Sequence, residues 1–73
     1  MNAEQIKVDY ASSTVTYIGI AVSGADVNDE AWTIKKLTLD ANGKILAKQV
    51  SGGVTDQKFK WSDRADSTKI TYK

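Results

Sequence analysis

Three carboxylates lie close together in the sequence, at Asp26, Asp29 and Glu30. Carboxylates at this spacing could bind a metal ion or act as a catalytic acid and base. Asp26, Asn28 and Glu30 alternate as oxygen ligands do in calcium loops, but an EF-hand loop would continue with glycine and end with glutamate, and this chain has alanine and leucine there. Paired carboxylates could also serve a glycosidase, yet all three lie in one polar loop. We expect this loop to be a solvated or helix-capping segment.

The sequence contains no histidine and no cysteine, which are the residues that most often act as base, nucleophile or metal ligand in catalysis. Arrangements of serine with lysine, of threonine or of carboxylates remain, but the serines stand in predicted turns, where hydroxyl groups mostly bond the backbone. Thiolate and imidazole ligands for zinc are missing as well. We therefore predict a protein that is not an enzyme and that uses no metal or other cofactor.

The segment from residue 58 to residue 67, KFKWSDRADS, combines Trp61 with Asp63 and with Arg64, the single arginine of the chain. A guanidinium suits two-pronged bonding to a carboxylate, either of its own chain, where Asp63 and Asp66 are near in sequence, or of a neighbouring subunit. Trp61 and Trp32 have three open interpretations. Each is a core residue, an interface anchor or a platform for a carbohydrate.

Length and charge limit the remaining classes of function. A chain of 73 residues is one domain, residues 1–73, and a core of this size is marginal without a staple such as a partner subunit. The net charge of +1 lacks the basic excess of a nucleic-acid module. No apolar run reaches the length of a membrane span, and the polar residues 1–5 do not resemble a signal peptide, so we expect a cytoplasmic site of synthesis.

The elements that must position these residues are predicted to be strands. β-Branched and aromatic residues cluster in short segments between turns, which predicts strands over residues 5–10, 14–22, 31–40, 44–50, 57–61 and 69–72. About six short strands joined by short turns indicate an all-β fold, a small antiparallel barrel or sandwich.

The pattern of apolar and polar residues also predicts how individual strands and turns are arranged. Residues 5–10 alternate as a half-buried strand, with Ile6, Val8 and Tyr10 on the apolar face. Residues 14–22 are apolar on both faces, as in a strand that is central or covered on both sides, and Gly19 suggests a bend or a close approach by another group. Residues 31–40 change phase, which predicts either a bulge near residues 35–36 or a two-sided strand. The sequence DANGK predicts a tight hairpin at residues 40–44, with positive φ at Gly43.

The order and spacing of several short motifs resemble those of small virion proteins of tailed bacteriophages. Those proteins show a Y-x-G-x-A strand, a W-x-I strand, and a W-x-x-R turn close to a C-terminal aromatic residue. The matching residues here are Tyr17, Gly19, Ala21, Trp32, Ile34, Trp61, Arg64 and Tyr72. The similarity spans roughly residues 14 to 73. It implies a non-enzymatic structural subunit that is repeated by symmetry in a particle.

We therefore expect a structural or assembly protein, a bacteriophage virion component for decoration, neck, tail or fibre attachment, that is assembled in the host cytoplasm. Its partners would be other copies of itself or other virion proteins, with no membrane and no nucleic acid. The expected interface residues are Trp32, Trp61, Asp63, Arg64, Asp26, Asp29 and Glu30.

The alternative is a cytoplasmic small-barrel module that binds nucleic acid or carbohydrate. In that case lysines of neighbouring strands would line a basic face, and Trp61, Phe59 and Tyr72 would stack on bases. The lysines concerned are Lys35, Lys36, Lys44, Lys48, Lys58 and Lys60.

Overall fold

Four antiparallel strands, each hydrogen-bonded to the next along the chain, form one open sheet. The structure is a computed structural model and describes residues 4–73. The strands are β1 (Glu4–Asp9), β2 (Val15–Val22), β3 (Thr33–Leu39) and β4 (Ile45–Val50), in the order β1-β2-β3-β4. The described residues contain no α-helix, only a 3-10 turn at Trp61–Asp63. The all-β class predicted from the sequence is therefore confirmed.

The segment after β4 does not form the two further strands predicted at residues 57–61 and 69–72. It contacts the sheet through isolated bridges, Trp32 with Phe59 and Ser51 with Tyr72, and is otherwise irregular. The sheet formed by residues 4–73 is not closed, so the six strands and the barrel or sandwich predicted from the sequence are not confirmed. Residues 1–3, which belong to the polar stretch on which the expectation of a cytoplasmic site rests, lie outside the described residues. In residues 4–73 no helix has the length and hydrophobicity to cross a membrane.

The hairpin between β3 and β4 has the predicted geometry. Gly43 has a φ of 84°, and its N–H donates to the carbonyl of Asp40 at 3.1 Å. The Asp40 carboxylate also accepts the backbone N–H groups of Asn42 at 2.8 Å and of Lys44 at 2.9 Å. One aspartate thus satisfies donors that the tight turn would otherwise leave unpaired.

Strand β3 is two-sided, which was the second of the two predictions for its change of phase. The pairing with β2 runs without a shift past Lys35 and Lys36, and the only register shift with β4 lies between Thr38 and Leu39. Trp32 and Ile34 are therefore on one side of the sheet, and Leu37 is on the other. The bulge predicted near residues 35–36 is absent from the described pairing.

One side of the sheet, here called the covered face, packs against the segment 51–73. The buried apolar residues lie there and form a single cluster of Tyr17, Ala21, Trp32, Ile34, Trp61 and Ile70. Strand β2 pairs with both β1 and β3, which confirms its predicted central position. Gly19, in the middle of β2, faces the two tryptophan rings of this cluster.

The other side, here called the open face, is mainly apolar and only partly covered. By register and alternation it carries Glu4, Ile6, Val8, Thr16, Ile18, Ile20, Val22, Thr33, Lys35, Leu37, Leu39, Ile45, Lys48 and Val50. Residues 54–55 approach it only near β3, where the Thr33 hydroxyl donates to the carbonyl of Thr55 at 2.8 Å. Within residues 4–73, no other hydrogen bond joins a side chain of the open face to a residue outside the four strands.

Strand β1 turns its apolar side to the open face and its polar side to the covered face. The alternation is real, but Ile6 and Val8 are 64% and 48% exposed, and the polar residues Gln5, Lys7 and Asp9 point to the covered side. Gln5 donates to the carbonyls of Val22 and Ala25, at 3.2 and 2.7 Å. The prediction that the apolar side of this strand is the buried one is wrong in the monomer, because the segment 51–73 packs on the opposite side.

Candidate protein–protein interface

Arg64 forms an ion pair within its own chain, and the partner is Asp9. Its Nε donates to Asp9 Oδ2 at 2.8 Å, and one terminal nitrogen donates to the carbonyl of Trp61 at 3.2 Å. The guanidinium carbon also lies 4.7 Å from the centre of the Trp61 ring. The carboxylates near it in sequence, Asp63 and Asp66, do not pair with it in residues 4–73. Of the two alternatives, the intramolecular pair is the one the structure contains, with a partner that sequence proximity did not suggest.

The two tryptophans lie in the core of the chain. Trp32 has no exposed surface, Trp61 is 6% exposed, and their ring centres are 5.7 Å apart. A Cβ added to Gly19 would lie 2.6 Å from Trp61 Cζ3 and 3.0 Å from Trp32 Cε3, so the close approach predicted at this glycine is confirmed. The core alternative thus describes both residues in the monomer, where neither presents a ring face for a sugar or a base.

The acidic loop turns its carboxylates towards its own backbone. Asp26 Oδ1 accepts the N–H of Asn28 at 3.1 Å, and Asp29 Oδ2 accepts the N–H of Asp26 at 2.8 Å. The carbonyl of Asp26 in turn accepts the indole N–H of Trp32 at 2.9 Å. The loop therefore holds a core tryptophan in place. In residues 4–73 no three or more acidic side chains are grouped as metal ligands are.

Asp63 and Glu30, both predicted to be interface residues, meet at one cleft of about 350 Å³. The backbone joins the two segments, because the N–H of Ser62 donates to the carbonyl of Val27 at 3.0 Å. Lysines line the same cleft at positions 58, 60 and 69. The cleft is open and mixed in charge, and it presents neither the apolar wall nor the converging polar groups of a small-molecule site.

A second cleft, of about 260 Å³, lies beside Tyr72 and Arg64. The Tyr72 hydroxyl donates to the carbonyl of Arg64 at 2.8 Å, and its ring is 5.8 Å from that of Tyr17. Burial raises the pKa of Tyr72 well above its usual value, and the neighbouring Tyr17 raises it further. A hydroxyl that holds its proton so firmly is suited to donating a structural hydrogen bond and not to accepting a proton in catalysis.

The lysines do not gather beside exposed aromatic rings. Lys35 and Lys48 lie on the open face, whereas Lys36 lies on the covered side, with its nitrogen 5.8 Å from the centre of the Tyr72 ring. The ring that a base would stack on is mostly hidden at Trp61. This arrangement does not favour the alternative of a module that binds single-stranded nucleic acid.

The open face is the candidate site that reasoning from sequence missed. On this face Ile6 is 64% exposed and Ile45 is 60% exposed. Leu46, which follows Ile45 in β4, is 66% exposed. Large contiguous apolar patches on a small protein mark interaction sites. Two features of the sequence indicate an apolar second face of the sheet. Strand β2 is apolar on both faces, and in β3 Leu37 and Leu39 lie on the face opposite to that of Trp32 and Ile34.

The residues that carry the resemblance to virion proteins gather on the covered face. Tyr17, Ala21, Trp32, Ile34 and Trp61 are in the core cluster, and Tyr72 packs against it. Arg64 covers the ring of Trp61. These motifs therefore describe how one layer of the fold is held together, and they leave out the open face.

Comparison of the chain with models of protein families, with curated proteins and with solved structures found no match.

Proposed function

We propose that this chain is a non-enzymatic structural subunit that binds other proteins through its open face in a symmetric assembly. The observation that carries the proposal is the exposure of Ile6, Val8 and Ile45 on one side of an otherwise ordered sheet. A sheet is stable when its apolar face packs against another layer. Among the residues that the structure describes, 4–73, such a layer packs only on the covered face, where it is formed by the segment 51–73.

The small size of the domain makes covering the open face energetically important. Each Å² of apolar surface removed from water stabilises by about 25 cal/mol, and a domain near 73 residues has little stability to spare. Exposed isoleucine and valine contribute nothing of this kind until a partner covers them. A subunit that gains much of its stability on assembly is thereby favoured to stay assembled.

The sequence resemblance supports a bacteriophage virion as the assembly. Its motifs fall on residues that build the core, including Trp32, Trp61 and Arg64, so the likeness concerns the fold of a structural subunit. The proposed places are capsid decoration, neck, tail or fibre attachment, where copies are repeated by symmetry. Assembly takes place in the host cytoplasm, and the partners are other copies or other virion proteins.

The composition of purified particles tests this proposal. Particles produced by the genome that encodes the chain are expected to contain it in many copies per particle, counted by quantitative mass spectrometry. Electron microscopy of the same particles is expected to show its density at symmetry-related positions. A chain found in the host cytoplasm and missing from purified particles would contradict the virion role.

A pair of variants tests the role of the open face in the particle. Ile6→Glu places a charge on this face, whereas Gln57→Glu makes the same change of charge in an exposed loop after β4. We expect Ile6→Glu to reduce the number of copies per particle and Gln57→Glu to leave it unchanged. Equal incorporation of the two variants would show that another surface makes the contact. Tight retention of a short single-stranded oligonucleotide at low salt would instead favour the nucleic-acid alternative.

A further inference from the structure

We infer that a second copy of this chain covers the open face, so that two sheets pack face to face as the two layers of a sandwich. The inference rests on the proposed function, since it names the first partner of the same surface. It follows from the dimensions of the open face and from the way charge is distributed over it.

The open face has the area of a weak dimer interface. Its four strands contain six to eight residues each. Strands about 4.8 Å apart and about 3.3 Å per residue make a surface of about 19 by 23 Å. Two such surfaces pressed together bury at most about 900 Å² in total, which is in the range of weak, transient protein–protein interfaces. We therefore expect a dimer that dissociates on dilution and not a permanent one.

Charge is separated between the two halves of the open face. The half formed by β1 and β2 presents Ile6, Val8, Ile18 and Ile20, and its one charged side chain is the acidic Glu4, at the start of β1. The half formed by β3 and β4 carries both lysines of this face, at positions 35 and 48. A face-to-face dimer keeps like charges apart if each lysine-bearing half lies on the half formed by β1 and β2 of the other copy.

A two-fold axis that runs along the strands, between β2 and β3, produces this arrangement. It lays β1 of one copy over β4 of the other, and β2 over β3, in the nearly aligned packing of sandwiches. Rotation about this axis keeps each residue at its level along the strands. Because Lys35 pairs with Ile18 in the register of β2 and β3, Lys35 of one copy lies over Ile18 of the other. No lysine then meets a lysine.

The outer row of the interface gives the second lysine a partner. Lys48 pairs with Leu37, and Leu37 pairs with Thr16. Tyr10 directly follows β1, and extending the β1–β2 register by one residue beyond its last pair, Asp9 with Tyr17, puts Tyr10 in the same row. Tyr10 is 81% exposed. The two-fold axis therefore brings Lys48 of one copy to the Tyr10 ring of the other. The lysine stem covers apolar surface there, and its ammonium group stays at the rim, beside an aromatic face.

The mass of the full chain in solution tests the dimer. Sedimentation equilibrium is expected to show the mass rising from 8.0 kDa towards twice that value with concentration. The rise should fall between about 1 µM and about 1 mM, the range for a small interface. Ile6→Glu is expected to raise the dissociation constant at least about tenfold, because the dimer would bury a charge, and Gln57→Glu to leave it unchanged. Tryptophan emission confirms that each variant is folded, since Trp32 is buried only in the native chain.

The arrangement of the two copies is tested by cross-linking. The chain has no cysteine, so Tyr10→Cys and Lys48→Cys each introduce a single thiol. A bis-maleimide that spans the distance between packed sheets, about 10 Å, is expected to join the two variants in a mixture more efficiently than either variant to itself. Equal yields in the mixture and in the single variants would overturn the proposed two-fold axis.

The dimer and the structural role fail in different ways. A mass of 8.0 kDa at every concentration would overturn the dimer, whether or not the chain is found in particles. Absence from particles would overturn the virion role, whether or not the purified chain dimerises. A self-associating species in which Ile6→Glu and Gln57→Glu behave alike would also overturn the inference, because the contact would then lie elsewhere.

Discussion

The side chain of Arg64 is held by Asp9, a residue 55 positions earlier in the chain, through a hydrogen bond of 2.8 Å from Nε to Oδ2. The pair joins the end of β1 to the turn after Trp61, and the guanidinium lies against the indole ring of that tryptophan. Both side chains of the pair are about one-third exposed. The contact therefore fastens the covering segment to the first strand of the sheet and closes the core at this end.

Replacing this arginine is expected to weaken the monomer itself. Arg64→Lys should lower the free energy of unfolding in urea by about 1–2 kcal/mol, because an ammonium group cannot both stack on Trp61 and donate in two directions. In a double-mutant cycle, Asp9→Asn and Arg64→Gln should be coupled by about 0.5–1 kcal/mol, as expected for a partly exposed pair. The same cycle with Asp63→Asn should show no coupling. A larger coupling to Asp63 would contradict the observed pairing.

A methyl group at position 19 is expected to destabilise the fold. Gly19→Ala would place a Cβ 2.6 Å from Trp61 Cζ3, and overpacking of this kind costs about 1–3 kcal/mol in the free energy of unfolding. Trp61→Phe removes part of the ring that clashes. The double variant Gly19→Ala with Trp61→Phe should therefore lose less stability than the sum of the two single variants. Additive losses, measured by chemical denaturation, would show that the ring and the glycine do not compete for this space.

Ser51 is expected to be worth more than its size suggests. It has no exposed surface, and its hydroxyl accepts the backbone N–H of Ile34 at 3.0 Å in the interior. Ser51→Ala leaves that donor buried without a partner, which should lower the free energy of unfolding by about 1–3 kcal/mol. Ser67→Ala, at an exposed position, is the matched control and should have little effect. Equal stability of the two variants would mean that the Ile34 N–H finds another acceptor.

Stability is expected to fall in alkaline solution because of Tyr72. Burial, and then the neighbouring Tyr17, raise the pKa of the Tyr72 hydroxyl in the folded chain above its usual value of 10.0. Above that value the unfolded chain loses this proton while the folded chain keeps it. The unfolded state then binds fewer protons, and the free energy of unfolding decreases as the pH rises.

Urea denaturation at about pH 8 and at about pH 11 measures this effect. Tyr72→Phe should lose some stability at the lower pH, since the hydrogen bond to the carbonyl of Arg64 is gone, but its stability should fall less steeply with pH. Tyr10→Phe, which removes an exposed hydroxyl, should keep the steep fall of the unchanged chain. The same steepness in Tyr72→Phe would contradict the assignment to Tyr72.

Local chemistry was sufficient for several features. The hairpin at residues 40–44 follows from Asp40 and Gly43, because a side-chain acceptor and a positive φ act within a few residues. The central position of β2 follows from its two apolar faces. A glycine in the interior of a strand indicates a bend or a close approach at Gly19, but the approaching group is the Trp61 ring, which only the segment 51–73 brings there.

The positions of the last two predicted strands could not be derived in this way. Alternation at Phe59 and Trp61 indicates that one side is buried, but it does not say whether the backbone pairs over a full strand or through one bridge. That choice depends on how far the segment 51–73 must travel to place Trp61 over Gly19 and Arg64 beside Asp9. In the folded chain the tryptophan rings pack in the core, and the backbone of the segment 51–73 pairs with the sheet only through isolated bridges in the described residues.

The sequence by itself determined an all-β chain with a two-sided central strand, a tight hairpin and no histidine or cysteine. Only the tertiary structure decided which side of each strand is covered. A period of two divides Ile6 and Val8 from Gln5 and Asp9, but both orientations satisfy the local pattern equally well. The segment 51–73 breaks the tie by packing its tryptophan on one side, and Ile6 and Val8 are left bare on the other.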